Sequence, residues 1–155
     1  MDEQSFVAEV QAMERSLYRV SRGLLPSLEE CGDAIQEALT KAWAKRSTVK
    51  PEYFRPWLMR IVINECHNIG RRKKRIIPAA EVMPLKSEGQ VQNEGLRDDI
   101  SLLPEKLRLP LLLHYLEGFS VEEIAKMLGL PPGTVKSRLH RARQTLRIQL
   151  LEVQE

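Results

Sequence analysis

A chain of 155 residues, 43% hydrophobic and 29% charged, has the composition of a globular protein of one domain or two small ones. Its formal charge of +3 is only mildly basic, and two cysteines are too few for a disulfide-built secreted scaffold. No stretch approaches the ~20 apolar residues of a membrane span. The acidic first residues carry no signal-peptide pattern, so a cytoplasmic protein with no membrane insertion of its own is expected.

Apolar residues recur at spacings of three and four throughout, and nothing strongly predicts a strand. The first predicted helix runs from about Ser5 into Gly23, with Phe6, Val10, Met13, Leu17 and Val20 on one side; Gly23 and Pro26 close it. The second starts near Ser27 or Gly32 and runs to about Lys45. Its predicted apolar stripe is Cys31, Ala34, Ile35, Ala38, Leu39, Ala42 and Trp43. Lys50-Pro51 and Pro56 bracket a short loop. A third helix is predicted from about Arg55 to Arg72, with Phe54, Leu58, Ile61, Val62 and Ile69 toward a core. Residues 76–100 contain Pro78, Pro84, Gly89 and Gly95 and read as a flexible linker. The chain therefore divides into two small all-α domains, residues 1–75 and 101–155. In the second, Pro104 suits a first helical turn and Pro110 is expected to kink the helix that contains it.

Residues 118–150 are the most informative. Ser120 precedes an apolar-periodic run and Glu123 follows three residues later, which is a capping-box start. Val121, Ile124, Ala125 and Leu128 share one face, Gly129 ends the helix, and Gly-Leu-Pro-Pro makes a tight turn. The helix predicted from about Gly133 has an apolar stripe of Val135, Leu139, Ala142, Leu146 and Leu150. Its other faces hold cations, and no acidic residue falls between Thr134 and Arg147. A helix that packs on one side and offers cations, hydroxyls and an imidazole on the other suits the major groove. The early positions Lys136, Ser137, His140 and Arg141 are base-reading candidates. Thr134, Arg138, Arg143 and Arg147 are phosphate candidates.

Charge is unevenly distributed. Residues 1–53 hold nine acidic against seven cationic side chains, whereas residues 54–75 hold seven cationic against one acidic, Glu65. Trp57, Arg60, Asn64, Asn68 and Arg71 share one face of the third helix. An aromatic ring with amides and guanidinium groups suits unpaired bases and their phosphates. The run Arg71 to Arg75 continues this face. Residue types alone leave open a core role for Trp57 and a solubilising role for the basic run. Asp33, Gln36, Glu37 and Thr40 lie opposite the Ile35/Leu39/Trp43 stripe, where residue types alone favour a solvated helix face. Cys66-His67 has no further ligands at metal-binding spacing. No nucleophile–base set or phosphate loop is visible, so neither an enzyme nor a cofactor is expected.

Three motifs together resemble the sigma-70 family of RNA polymerase sigma factors, in its small extracytoplasmic-function (ECF) group. They are D-A-I-Q-E-A-L-T-K-A-W (33–43), F-R-P-W-L-M-R-I-V-I-N-E-C-H-N-I-G-R-R (54–72), and L-P-E-K-L-R through G-T-V-K-S-R-L-H-R-A-R (103–143). The first resembles the region 2 helix that binds core polymerase, the second the promoter-melting helix, the third region 4.

The resemblance implies that Asp33, Gln36, Glu37 and Thr40 dock on the clamp coiled coil of the largest polymerase subunit. It implies that Trp57, Arg60, Asn64, Asn68, Arg71 and Arg72 hold the melted minus-ten strand, with a flipped base near the Lys50 to Pro56 loop. Lys136, Ser137, His140 and Arg141 then read the minus-thirty-five duplex, the polymerase flap receives region 4, and the linker threads toward the active-site channel. An anti-sigma protein is the further implied partner. Many members carry Asp where this chain has Asn68, which bears on minus-ten preference. The acidic region 1 extension and an extra carboxy-terminal domain are not expected. A stand-alone helix-turn-helix regulator is the alternative, but it leaves the first half of the chain without a role and lacks an evident dimerisation helix. A helical scaffold would not need an uninterrupted cationic helix.

Overall fold

The computed structural model describes residues 1–76 and 99–153, with side chains through residues 73 and 147 respectively. Every element among the described residues is helical. The chain packs as two compact units, Met1–Val82 and Met83–Glu155. Of the predicted linker, residues 77–98 lie outside the described residues. No described helix is long and apolar enough to cross a membrane.

The first unit is a bundle of α1 (Glu3–Arg22), α2 (Leu28–Ala44) and α3 (Phe54–Ile76). Asp2 caps α1 by accepting from Ser5 N at 2.7 Å, a bond that holds its carboxyl below the usual carboxylate range. Ser27 caps α2 in the same way, through Glu30 N at 3.2 Å. Of two short 3₁₀ turns, Pro51–Tyr53 falls in the predicted loop and Arg46–Thr48 just before it. Pro56 falls in the first turn of α3, where a missing N–H forfeits no helical bond. Met13, Leu17, Leu58, Met59, Val62 and Phe54 are fully buried. Each such side chain stabilises by roughly 1.5–3 kcal/mol.

Four predicted core positions differ. Ile61 and Ile69 are only half-buried, because Met59, Ile63, Glu65 and Cys66 take the inward face of α3. Leu39 is half-buried and Trp43 is exposed. The small residues Cys31, Ala34, Ala38 and Ala42 meet the neighbouring helices instead, so the buried stripe is narrower than predicted and turned away from Leu39 and Trp43.

Glu65 is 4% exposed and accepts from Lys41 Nζ across α2 and α3 at 2.5 Å. That bond raises the Lys41 ammonium above its ordinary value. The stability it adds is complete below about pH 10.4 and is lost as pH rises through the higher folded value. Lys41→Met strands a buried carboxylate, so the urea midpoint is expected to fall. Adding Glu65→Leu is expected to recover part of the loss, because it removes the stranded charge. A double variant less stable than Lys41→Met would mean that Glu65 acts through other partners. Cys31 and Cys66 are buried thiols that are not joined in a disulfide, and Cys66 Sγ donates to Ser21 Oγ at 3.6 Å. Burial, with Cys66 nearby, pushes the Cys31 thiol up to about 11, so it stays protonated at neutral pH.

The second unit contains α4 (Glu105–Leu111), a π turn (Leu112–Leu116), α5 (Val121–Leu128) and α6 (Pro132–Val153). Pro104 is the N-cap of α4 rather than part of its first turn. Pro110 has no N–H to give the helical ladder, and the α-helix yields to the wider π turn, closed by Glu117 N to Leu112 O at 3.1 Å. The predicted kink is thus a change of helix type. Leu103, Leu111 and Ala142 pack together, with Ile100, Leu107 and Leu146 against them.

Candidate nucleic-acid interface

Local chemistry builds the turn between α5 and α6. Ser120 Oγ accepts from Glu123 N at 3.1 Å while Glu123 Oε1 accepts from Ser120 N at 3.0 Å, so the capping box is complete. Gly129 leaves α5 at φ +67°, a left-handed conformation that disfavours any side chain with a Cβ. The Pro131 carbonyl accepts from Thr134 N and Val135 N, which starts α6 at Pro132. Ile124, Ala125 and Met127 of α5 are buried, as are Val135, Leu139 and Ala142 of α6.

This packing leaves Lys136, Ser137, His140, Arg141, Arg143 and Arg147 exposed, with Thr134 and Arg138 half-buried. All eight predicted positions therefore have surface to offer. Leu150 lies outside the described side chains. Arg143 is not a free cation, since its Nη1 donates to the Tyr115 hydroxyl of the π turn. Tyr115 is a residue that the sequence reading passed over.

On α3, Arg60, Asn64, Arg71 and Arg72 are exposed, and Trp57 and Asn68 are half-buried. Trp57 leans on buried Phe54, with ring centres 5.8 Å apart, so it is neither wholly core nor wholly surface. Arg71 Nη2 donates to Asn68 Oδ1. A guanidinium only donates, so the amide oxygen is engaged and its NH₂ remains to donate elsewhere. Lys73 pairs with Glu30 of α2.

On α2, Asp33, Gln36, Glu37 and Thr40 are exposed, and Thr40 Oγ1 donates to the Gln36 carbonyl at 3.0 Å. The predicted opposition to Leu39 and Trp43 does not hold. Asp33, Gln36 and Thr40 line one groove between α1 and α2 together with Leu39, Trp43 and Tyr18. Glu37 instead lines the furrow between α2 and α3, and Asp33 borders both. Arg46 stacks over the Trp43 ring at 3.9 Å and donates to the Trp43 carbonyl at 2.9 Å. Neither Tyr18 nor Arg46 was singled out from the sequence, because neither carries a motif.

A helix-turn-helix with a cationic outer helix, accompanied by a second helical unit with an amide- and arginine-rich face, defines a two-domain DNA-binding protein. The family models agree: "Sigma-70 region 2" matches residues 10–76 and "Sigma-70, region 4" matches residues 95–146. The chain belongs to the sigma-70 family and is an alternative, ECF-group sigma factor, a transcription initiation factor that directs core RNA polymerase to promoter DNA.

It is 33% identical to the ECF sigma-E factor of Escherichia coli K12 over 134 residues, 74% of this chain and 70% of that one. It is 27% identical to SigW of Bacillus subtilis over 177 aligned positions, spanning 98% of this chain and 92% of that one. Among solved structures it is similar to the sigma factor RpoE in complex with the anti-sigma factor NepR from Bartonella quintana. The TM-score is 0.80 at 26% identity, covering 97% of this chain and 98% of that one. CnrH, solved in complex with the cytosolic domain of CnrY, gives a TM-score of 0.72 at 25% identity, covering 99% of this chain and 92% of that one.

Proposed function

We propose that this sigma factor divides promoter recognition between residues 1–75 and 101–155, joined by residues 76–100. The observation that carries the reading is the outer face of α6. It holds six exposed candidate residues over a buried Val135/Leu139/Ala142 seam, with no carboxylate from Thr134 to Arg147. Lys136, Ser137, His140 and Arg141 read base edges of the minus-thirty-five duplex. Thr134, Arg138, Arg143 and Arg147 bind its phosphates.

The α3 face takes the melted minus-ten strand. Arg60, Arg71 and Arg72 follow its backbone, Asn64 and Asn68 meet base edges, and Trp57 offers the edge of a stacking platform. With Asn68 Oδ1 engaged by Arg71, the amide presents donors, so it favours a base acceptor; an aspartate there would present none. The groove between α1 and α2 receives the clamp coiled coil of the largest polymerase subunit, with Asp33, Gln36 and Thr40 at its rim and Glu37 contributing from the other side. The polymerase flap receives the second unit. Nucleotide chemistry belongs to the polymerase, in the cytoplasm, and this chain supplies recognition. Because two similar chains were solved with the anti-sigma factor NepR and with the cytosolic domain of CnrY, an anti-sigma protein is the proposed regulator here.

Co-elution of the chain with core polymerase, followed by opening of a promoter library, tests the whole reading. Failure to co-elute, with duplex binding intact, would favour an independent helix-turn-helix regulator. Within the holoenzyme, Asn64→Ala is expected to reduce promoter opening about tenfold, as a lost single-strand contact should. Permanganate footprinting reads the opening and gel filtration the core binding. If Asn64→Ala loses core binding instead, the single-strand role is wrong.

A further inference from the structure

Arg143 on the outer face of α6 donates from Nη1 to the Tyr115 hydroxyl, and its guanidinium carbon lies 5.9 Å from the centre of the Tyr115 ring. The tyrosine is supported from behind. Its ring stands edge-on to His114, with centres 4.9 Å apart and planes at 81°. His114 Nδ1 is in turn 2.9 Å from the Phe119 carbonyl oxygen. Despite this support Tyr115 is 51% exposed.

A phenol oxygen that accepts an N–H bond keeps its own proton to donate. A guanidinium that gives one N–H to that oxygen keeps the others. A neutral donor and a charged donor thus converge from two elements that meet only through folding. Converging donors of this kind suit a phosphate oxygen, and tyrosine hydroxyls are among the groups that contact DNA backbones. Fixing Arg143 before binding also spares part of the side-chain entropy that a long cation loses at an interface.

We propose that Tyr115 and Arg143 form a two-residue clamp on one backbone phosphate of duplex DNA, with the Tyr115 hydroxyl donating beside the guanidinium. The proposal rests on the reading of Arg143 as a phosphate contact. It adds Tyr115 to the interface and makes the two residues one unit.

The test measures fluorescence anisotropy of the full chain with a mixed-sequence duplex of about 20 base pairs, between about 50 and 200 mM salt. Arg143→Ala is expected to weaken binding and to reduce the slope of log affinity against log salt by about 0.9, one phosphate contact. Tyr115→Phe keeps the ring against His114 and removes no charge. It is expected to weaken binding about 2- to 10-fold with the slope unchanged. In the Arg143→Ala background, Tyr115→Phe is expected to add almost nothing.

Parent-like binding by Tyr115→Phe, or losses that simply add, would overturn the clamp while the slope change of Arg143→Ala kept the phosphate reading alive. An unchanged slope in Arg143→Ala would remove both. Tyr115→Phe is also expected to melt at the parent temperature; a lower midpoint would make the hydroxyl a structural group and overturn the clamp.

Discussion

Replacing Leu113 with Ala is expected to unfold the second unit and leave the first intact. Leu113 is fully buried in the π turn, between α4 and the helix-turn-helix. Truncating a leucine at such a site costs about 2–5 kcal/mol, the sum of lost transfer energy and the cavity left behind. A unit this small has only about 3–5 kcal/mol of net stability from its core, so the loss consumes most or all of it. Limited trypsin digestion of the full-length variant reads the result. The α6 arginines become cleavable, while the first unit survives as a resistant fragment. Uniform digestion of the whole chain would show that the two units share their stability. Resistance equal to the parent would show that the π turn collapses around the missing side chain.

Arg141→Ala carries the second large effect. Arg141 is exposed in the first half of α6, beside Ser137, and its backbone carbonyl is bonded by Thr145 at 2.9 Å. Its side chain is exposed on the outer face, so its removal is expected to read recognition rather than stability. A base-reading arginine costs about 1–3 kcal/mol when truncated, roughly 5- to 150-fold in affinity, and selectivity relaxes at one base pair. Holoenzyme binding to a minus-thirty-five library, each position randomised in turn, locates that pair. An equal loss across all sequences would transfer Arg141 to the phosphate contacts.

Features encoded by neighbours in sequence were legible before the fold was known. The Ser120/Glu123 capping box, the Gly129 stop and the Val135/Leu139/Ala142 seam each depend on residues within one or two helical turns. The order of the helices and the α3 face were legible for the same reason. What escaped depends on partners far along the chain. Lys41 and Glu65 are 24 residues apart, and Tyr115 and Arg143 are 28 apart. No periodicity announces either pair. The exposure of Trp43 was misread because a helical wheel shows which residues share a face but not how much of that face a neighbour covers. Alanines and Cys31 seat α2 closely in the bundle, and the larger Leu39 and Trp43 fall beside the contact. Pro110 was legible as a disruption, but its resolution as a π turn depends on the hydrogen bonds that the following residues find.

The two tryptophans of this chain both lie in the first unit, one at each of its two proposed binding surfaces. Trp43 lines the groove between α1 and α2, and Trp57 sits at the end of the α3 amide face. Phe6 and Phe54 connect them through the core, with T-shaped contacts from Trp43 to Phe6 and from Phe6 to Phe54 and a tilted one from Phe54 to Trp57. Indole emission therefore reports on this unit alone. A protein filling the groove shifts the signal of Trp43, and a base stacked at the α3 face quenches Trp57. A duplex contacted only by α6 is expected to leave both emissions unchanged, so the unlabelled chain would separate the opening of a promoter from its first encounter.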